Sequence, residues 1–291
     1  MIYLLFSILA STMIFVIFKL FGRFKINVLH AIVVNYVIAC ISGLIAFDGP
    51  VVLSQLPQSD WFYYALALGA LFIVVFNLMA LTTERSGLSV VSVATKMSLI
   101  IPIIFGLVYY KEHLGILKFF GILLALIAVY LASVKRQGGI SLEKRTLILP
   151  ALVFLGSGII DTSIKFLEDA FVKENEVPVF SATIFAAAAG IGLLVLVPQV
   201  FQGRFKFEMK NIAGGIALGI PNYFSIYFLV KALRSGLLDS SGIFTVNNVL
   251  IVMLSTLLGI IIFKERLLPK NWLGIDLAIF SLFLFALAHV Q

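Results

Sequence analysis

Charge is scarce in this chain: Asp, Glu, Lys and Arg make up 12% of 291 residues, while 62% are hydrophobic and the mean hydropathy is +1.13. A soluble domain of this length covers its exposed faces with Lys and Glu, so the composition excludes an ordinary water-soluble core. Cysteine is nearly absent. The single Cys40 lies within an apolar stretch, lacks a partner for an intrachain disulfide, and reads as a small packed apolar side chain. Histidine is limited to His30, His113 and His289, scattered and without a pair at helical spacing, so no Cys/His cluster is available for metal. His30, near the start of the second apolar run, reads as an interfacial or packing residue. There is no Gly-rich phosphate loop and no nucleophile-elbow serine, which removes the commonest enzyme classes and leaves no cofactor to expect.

What the sequence does have is long apolar runs, at about 2–21, 27–47, 61–82, 88–110, 114–134, 146–167, 178–200, 211–233, 238–263 and 271–290. Each is roughly the 20 residues that cross a bilayer core as a helix. The runs are continuous, whereas lipid-facing strands alternate apolar and polar residues, so helices are expected rather than a barrel. The first run lacks a basic n-region and a small-residue cleavage site, and is expected to stay as the first helix. The net charge of +7 comes from basic residues at the ends of apolar runs, not interleaved with aromatics on one face, so no nucleic-acid partner is expected.

The longest polar linker, 135–146, reads KRQGGISLEKRT and separates five runs from five. The halves carry matching residues. Ser11, Ile14 and Lys19 fall on Ser157, Ile160 and Lys165 at one spacing of 146, and Arg85-Ser86-Gly87 recurs as Arg234-Ser235-Gly236. Gly106, Lys111, Glu112, Leu114, Gly121 and Ile122 fall on Gly259, Lys264, Glu265, Leu267, Gly274 and Ile275 at a spacing of 153. An odd number of helices per half forces the second half to insert upside down. The expected fold is therefore an all-α integral membrane protein of ten transmembrane helices, arranged as two inverted five-helix repeats over 1–137 and 145–291.

The segment PIIFGLVYYKEHLGILKFFGILL, Pro102 to Leu124, has its Pro, Lys-Glu and Gly at spacings that strongly resemble the EamA-type repeat of the drug/metabolite transporter superfamily. The resemblance extends over the whole chain as two repeats; the second keeps Gly259, Lys264, Glu265 and Gly274 but lacks the proline. It implies a ten-helix carrier with a cavity between the halves, working by alternating access on small metabolites such as amino acids. Members that exchange phosphorylated sugars resemble one another in carrying basic residues on the ninth helix. This ninth run has none in its middle, which argues against a sugar-phosphate or nucleotide-sugar antiporter.

Charge inside an apolar run is the sharper signal, because Asp or Lys at the bilayer centre costs ~3 kcal/mol on an insertion scale. Three such residues stand out: Lys96, Asp161 and Lys165. Lys96 lies near the middle of its run, with Ser89 and Ser92 on the same helix face. Asp161 and Lys165 are spaced i,i+4 in the favourable order for an ion pair. That pair admits two readings, a self-neutralised pair or an Asp161 that receives a solute amine or a coupling proton. Lys165, nearer a helix end, reads as a snorkelling residue. Across the repeat, Asp161 falls on Phe15 and Lys96 falls near Asn247 and Asn248, so the candidate site is charged on one side and amidic on the other. Pro102 and Pro221 each remove a helix hydrogen bond and are expected to free the carbonyls of Ser98 and Ala217, with Asn222 adding a polar group at the second kink. Gly215 with Gly219, and the small residues 186–192, read as close helix contacts.

These observations give Lys96, Asp161, Asn247, Asn248, Ser92 and Asn222 as the candidate solute-binding residues, in a cavity formed mainly by helices 1, 3, 4, 6, 8 and 9. The expected partners are a small-molecule solute, with a carboxylate for Lys96, and the lipid bilayer; a proton is the candidate coupling ion and the chain is expected to be a monomer. A non-transporting membrane scaffold or sensor is the alternative. Odd-numbered connections carry fourteen Lys and Arg and even-numbered ones five, which by the positive-inside rule puts the 135–146 linker in the cytoplasm and both termini outside a cell membrane. The superfamily resemblance implies the opposite orientation.

Overall fold

Apolar runs of this length satisfy their own backbone only as helices when lipid surrounds them. A computed structural model describes residues 2–47, 56–86, 94–113, 115–133, 144–202, 208–264 and 268–290, and among them all longer regular elements are α-helices. These are α1 (Ile2–Phe24), α2 (Val28–Ile45), α3 (Phe62–Ser86), α4 (Ile100–Tyr109), α5 (Ile116–Ser133), α6 (Lys144–Phe171), α7 (Val177–Phe201), α8 (Met209–Arg234), α9 (Ser240–Phe263) and α10 (Pro269–Val290). Seven of them are long and apolar enough to cross a bilayer, and the apolar helical stretches over Ala94–Tyr109, interrupted by a turn, and Ile116–Leu131 are shorter. The chain is a multi-pass membrane protein. The 135–146 linker lies largely outside the described residues, as do Ser92, Gly87 and Glu265.

Local chemistry sets the helix ends. Asn27 caps α2 by accepting the His30 N–H at 3.2 Å, and Asp239 caps α9 by accepting the Gly242 N–H at 3.0 Å. Lys25, Lys111 and Lys264, just past the ends of α1, α4 and α9, take left-handed backbone with φ of 51°, 53° and 52°. That conformation costs a non-glycine residue ~1–2 kcal/mol, offset in part by a cation placed where the helix carbonyls end. The repeated pairs Gly106/Lys111 and Gly259/Lys264 thus mark one kind of helix ending: the Glu112 N–H reaches the Gly106 carbonyl at 3.3 Å, and the Lys264 N–H reaches the Gly259 carbonyl.

The fourth apolar run departs from expectation. It is helical over 94–97, turns at Ser98 and Leu99, and restarts as α4 at Ile100. Pro102 therefore sits in a first helical turn, where its missing N–H has no intrahelical partner to lose. The Ser98 carbonyl, expected to be free, accepts the Ile101 N–H at 2.9 Å. The α8 helix continues without interruption through Pro221.

The chain forms two compact units, each drawing on both halves of the sequence: Val75–Thr162 with Ser235–Gln291, and Ile2–Val74 with Ser163–Arg234. In the first, α5 packs along α10, and Ala125, Ala128, Val129, Val249, Val252 and Ala278 form a core among α5, α9 and α10. In the second, α8 packs on α1 and α2, and α2 also packs on α7.

Small residues allow this second packing. A Cβ on Gly215 would lie 2.5 Å from Val34 Cβ, and one on Gly219 would lie 2.7 Å from the Asn35 carbonyl oxygen. On α3, a Cβ at Gly69 would meet the Ile184 carbonyl of α7 at 2.4 Å. A backbone carbonyl cannot move aside as a flexible side chain can. Gly69→Ala is therefore expected to cost about 1–3 kcal/mol of stability, read as a lower thermal unfolding midpoint in detergent. Gly190→Ala, with nothing within 4 Å, serves as the control; equal midpoints for the two variants would contradict the packing account.

Candidate functional site

A lysine placed in an apolar interior needs a counter-charge and acceptors, and the first compact unit provides both. Gly158 on α6 lets α4 approach closely: a Cβ there would lie 2.3 Å from Ile101 Cδ1 and 2.7 Å from Ile101 Cβ. Asp161 lies three residues further along α6, on the same helix face as Gly158. Lys96 lies in the helical turn that precedes the break at Ser98 and Leu99. Lys96 and Asp161 attract one another across this contact.

The third member comes from α9. Lys96 Nζ donates to Asn248 Oδ1 at 3.1 Å, and Asn248 Nδ2 donates to the Phe244 carbonyl at 3.0 Å. The second bond fixes which way the amide points, with its oxygen turned to the ammonium. Lys96, Asn248 and the adjacent Asn247 are buried, and Asp161 is partly buried. Ser98, fully buried beside them in sequence, donates from Oγ to the Thr95 carbonyl at 2.6 Å and so steadies the turn that carries Lys96.

The expected i,i+4 partnership of Asp161 with Lys165 meets a competing arrangement. Lys165 Nζ lies 3.5 Å from Glu168 Oε2 and 3.7 Å from Asp169 Oδ1. Glu168, 1% exposed, is also held by Arg234, whose guanidinium donates to the Glu168 carboxylate and to the carbonyls of Glu168 and Val172. An arginine fork therefore closes the last carbonyls of α6. Both residues sit where an apolar run ends, where charges are ordinary, so nothing in their position along the chain separates them from other end-of-helix charges.

Asn222 lies in the second unit with a partner of its own. Its Nδ2 donates to Asn35 Oδ1 at 3.1 Å, in the contact between α8 and α2. Asn35 is fully buried, and Gly219 presses on its carbonyl oxygen. Asn35 was not among the expected site residues, although an amide near the middle of an apolar run needs a partner in lipid and is a signal in itself. Ser92 lies outside the described residues. Among the described residues no cluster of three or more His, Cys, Asp or Glu can hold a metal ion.

Three comparisons bear on this arrangement. The EamA-like transporter family matches residues 1–134. An uncharacterized protein of Haemophilus influenzae is 30% identical over 285 residues, covering 96% of each chain. A protein of known crystal structure superposes with a TM-score of 0.78 over 99% of this chain and 96% of its own, at 13% identity, a likeness of fold alone.

Proposed function

Because this chain belongs to the EamA-like transporter family, we propose that it is a secondary carrier that moves a small carboxylate-bearing solute, an amino acid or related metabolite, by alternating access. The observation that carries this reading is the group formed by Lys96, Asp161 and Asn248. A lysine facing a carboxylate inside lipid is costly to build, and a well-packed apolar replacement is often as stable, so the presence of both here favours a role in binding. The solute carboxylate takes the place of Asp161 beside Lys96. Asn248 and Asn247 orient it by hydrogen bonds. Asp161, released from the lysine, receives the solute amine or a coupling proton. The carrier acts as a monomer built of two inverted repeats, 1–137 and 145–291.

Lys96→Met keeps the side-chain volume roughly constant and deletes the charge. The variant is expected to purify folded and to lose amino-acid uptake in proteoliposomes by at least tenfold, a loss of ~1.4 kcal/mol or more in binding. Uptake with unchanged affinity would contradict the assignment, as would a protein that unfolds before any transport defect can be read. The charge bias of the connections supports a cytoplasmic 135–146 linker with both termini outside the cell membrane. A protease site inserted in that linker is expected to stay protected in intact cells; cleavage from outside would reverse the orientation.

A further inference from the structure

The end of α9 that faces the α4–α5 connection is fastened more heavily than a helix start requires. Asp239 already caps α9 through the Gly242 N–H. Glu112, from the α4–α5 connection, adds a second carboxylate: its Oε1 accepts the Ser240 N–H at 2.9 Å and the Ser240 hydroxyl, and its Oε2 accepts the Ser241 N–H at 3.2 Å. Lys118 balances the charge. Its Nζ bonds Asp239, lies 3.7 Å from Glu112 Oε2, and donates to the His113 carbonyl at 3.3 Å. The carboxylate lies against Gly106, where a Cβ would come within 3.0 Å of its atoms, and the left-handed Lys111 turns the chain to aim it.

At the other end of α4 the helix is broken, at Ser98 and Leu99. This leaves α4 a ten-residue segment with a turn beside Lys96, an apolar side packed on α5 through Leu99, Ile103 and Ile122, and a polar fastening at Glu112. The fastening consists only of charged and hydrogen-bonding groups, all of which water can satisfy once they part. An apolar seam would have no such open state. Asn248 lies eight residues into α9 from Ser240, ~12 Å along the helix at 1.5 Å per residue, so the fastening closes over the Lys96 group from one end.

We infer that Glu112 is the latch of a gate: the contact of Glu112 with Ser240 and Ser241 opens and closes one entrance to the Lys96, Asp161 and Asn248 group, while α4 stays on α5 through Leu99, Ile103 and Ile122. The inference rests on the carrier reading, and its test needs no solute, so it succeeds or fails independently of the uptake measurement.

The reporter is Thr245→Cys in a Cys40→Ser background, because Thr245 is fully buried and one helix turn inside the latch. The probe is a charged maleimide applied to the protein in lipid nanodiscs. Glu112→Gln keeps an acceptor and removes the charge, and is expected to raise the labelling rate at position 245 about tenfold by shifting a two-state opening. A control cysteine at Met253, deeper in α9, is expected to label at an unchanged rate, and the thermal midpoint to stay within a few degrees. Ser240→Ala, which removes only the hydroxyl bond, is expected to give a smaller rise at position 245 and decides the question if Glu112→Gln does not fold. An unchanged rate at position 245 in both variants would overturn the latch. So would a parallel rise at positions 245 and 253 with a lowered midpoint, since that is the signature of a helix cap serving stability alone.

Discussion

An ammonium group among apolar helices persists only where a counter-charge and a hydrogen-bond acceptor are built in around it, and much of the first compact unit serves that requirement at Lys96. The counter-charge on α6 is within reach because Gly158 has no side chain and Ile101 lies directly against it. The acceptor on α9 is oriented because Asn248 spends its own donor on the Phe244 carbonyl. The turn at Ser98 and Leu99 separates the helical residues 94–97, which carry Lys96, from α4.

The second unit meets the same problem without charge at its centre. Asn222 donates to Asn35, whose own Nδ2 reaches the Ile32 carbonyl at 3.5 Å; such interhelical hydrogen bonds are the neutral way to place polar atoms in lipid, worth ~0.6 kcal/mol on average. Glycines at 215 and 219 bring α8 onto α2 closely enough for that bond to form. Charges in this unit gather instead at helix ends, in Glu168 with Arg234 and Glu174 with Lys231. Trp61 joins them by donating to Glu176 at 3.0 Å.

Helix number and placement were legible in the sequence because apolar run length is dictated by the bilayer and leaves little freedom. Lys96 and Asp161 were legible for the same reason, since charge inside such a run is costly wherever it points. Partnership was harder to read. The i,i+4 spacing of Asp161 and Lys165 pointed to one another, yet Lys165 pairs with Glu168 and Asp169, at i+3 and i+4 on its other side along the same helix, and Asp161 faces Lys96 from another helix, a tertiary relation that no single-helix rule contains. Pro102 was expected to free a carbonyl; the chain instead moved its helix start so that proline fell where it does no harm. Glu112 was visible only as half of a repeated Lys-Glu pair, because its role depends on a helix start 128 residues away.

The most direct test of the Lys96 site is a thermal-shift comparison of purified wild-type protein with amino acids, with the amines that lack their carboxylate, and with sugars and nucleosides. A ligand at about 100 times its dissociation constant adds ~2.7 kcal/mol to the stability of the state that binds it. A rise in midpoint is predicted for carboxylate-bearing solutes and lost when the carboxylate is removed. Stabilisation by sugars or nucleosides, with none from any carboxylate-bearing solute, would contradict the account.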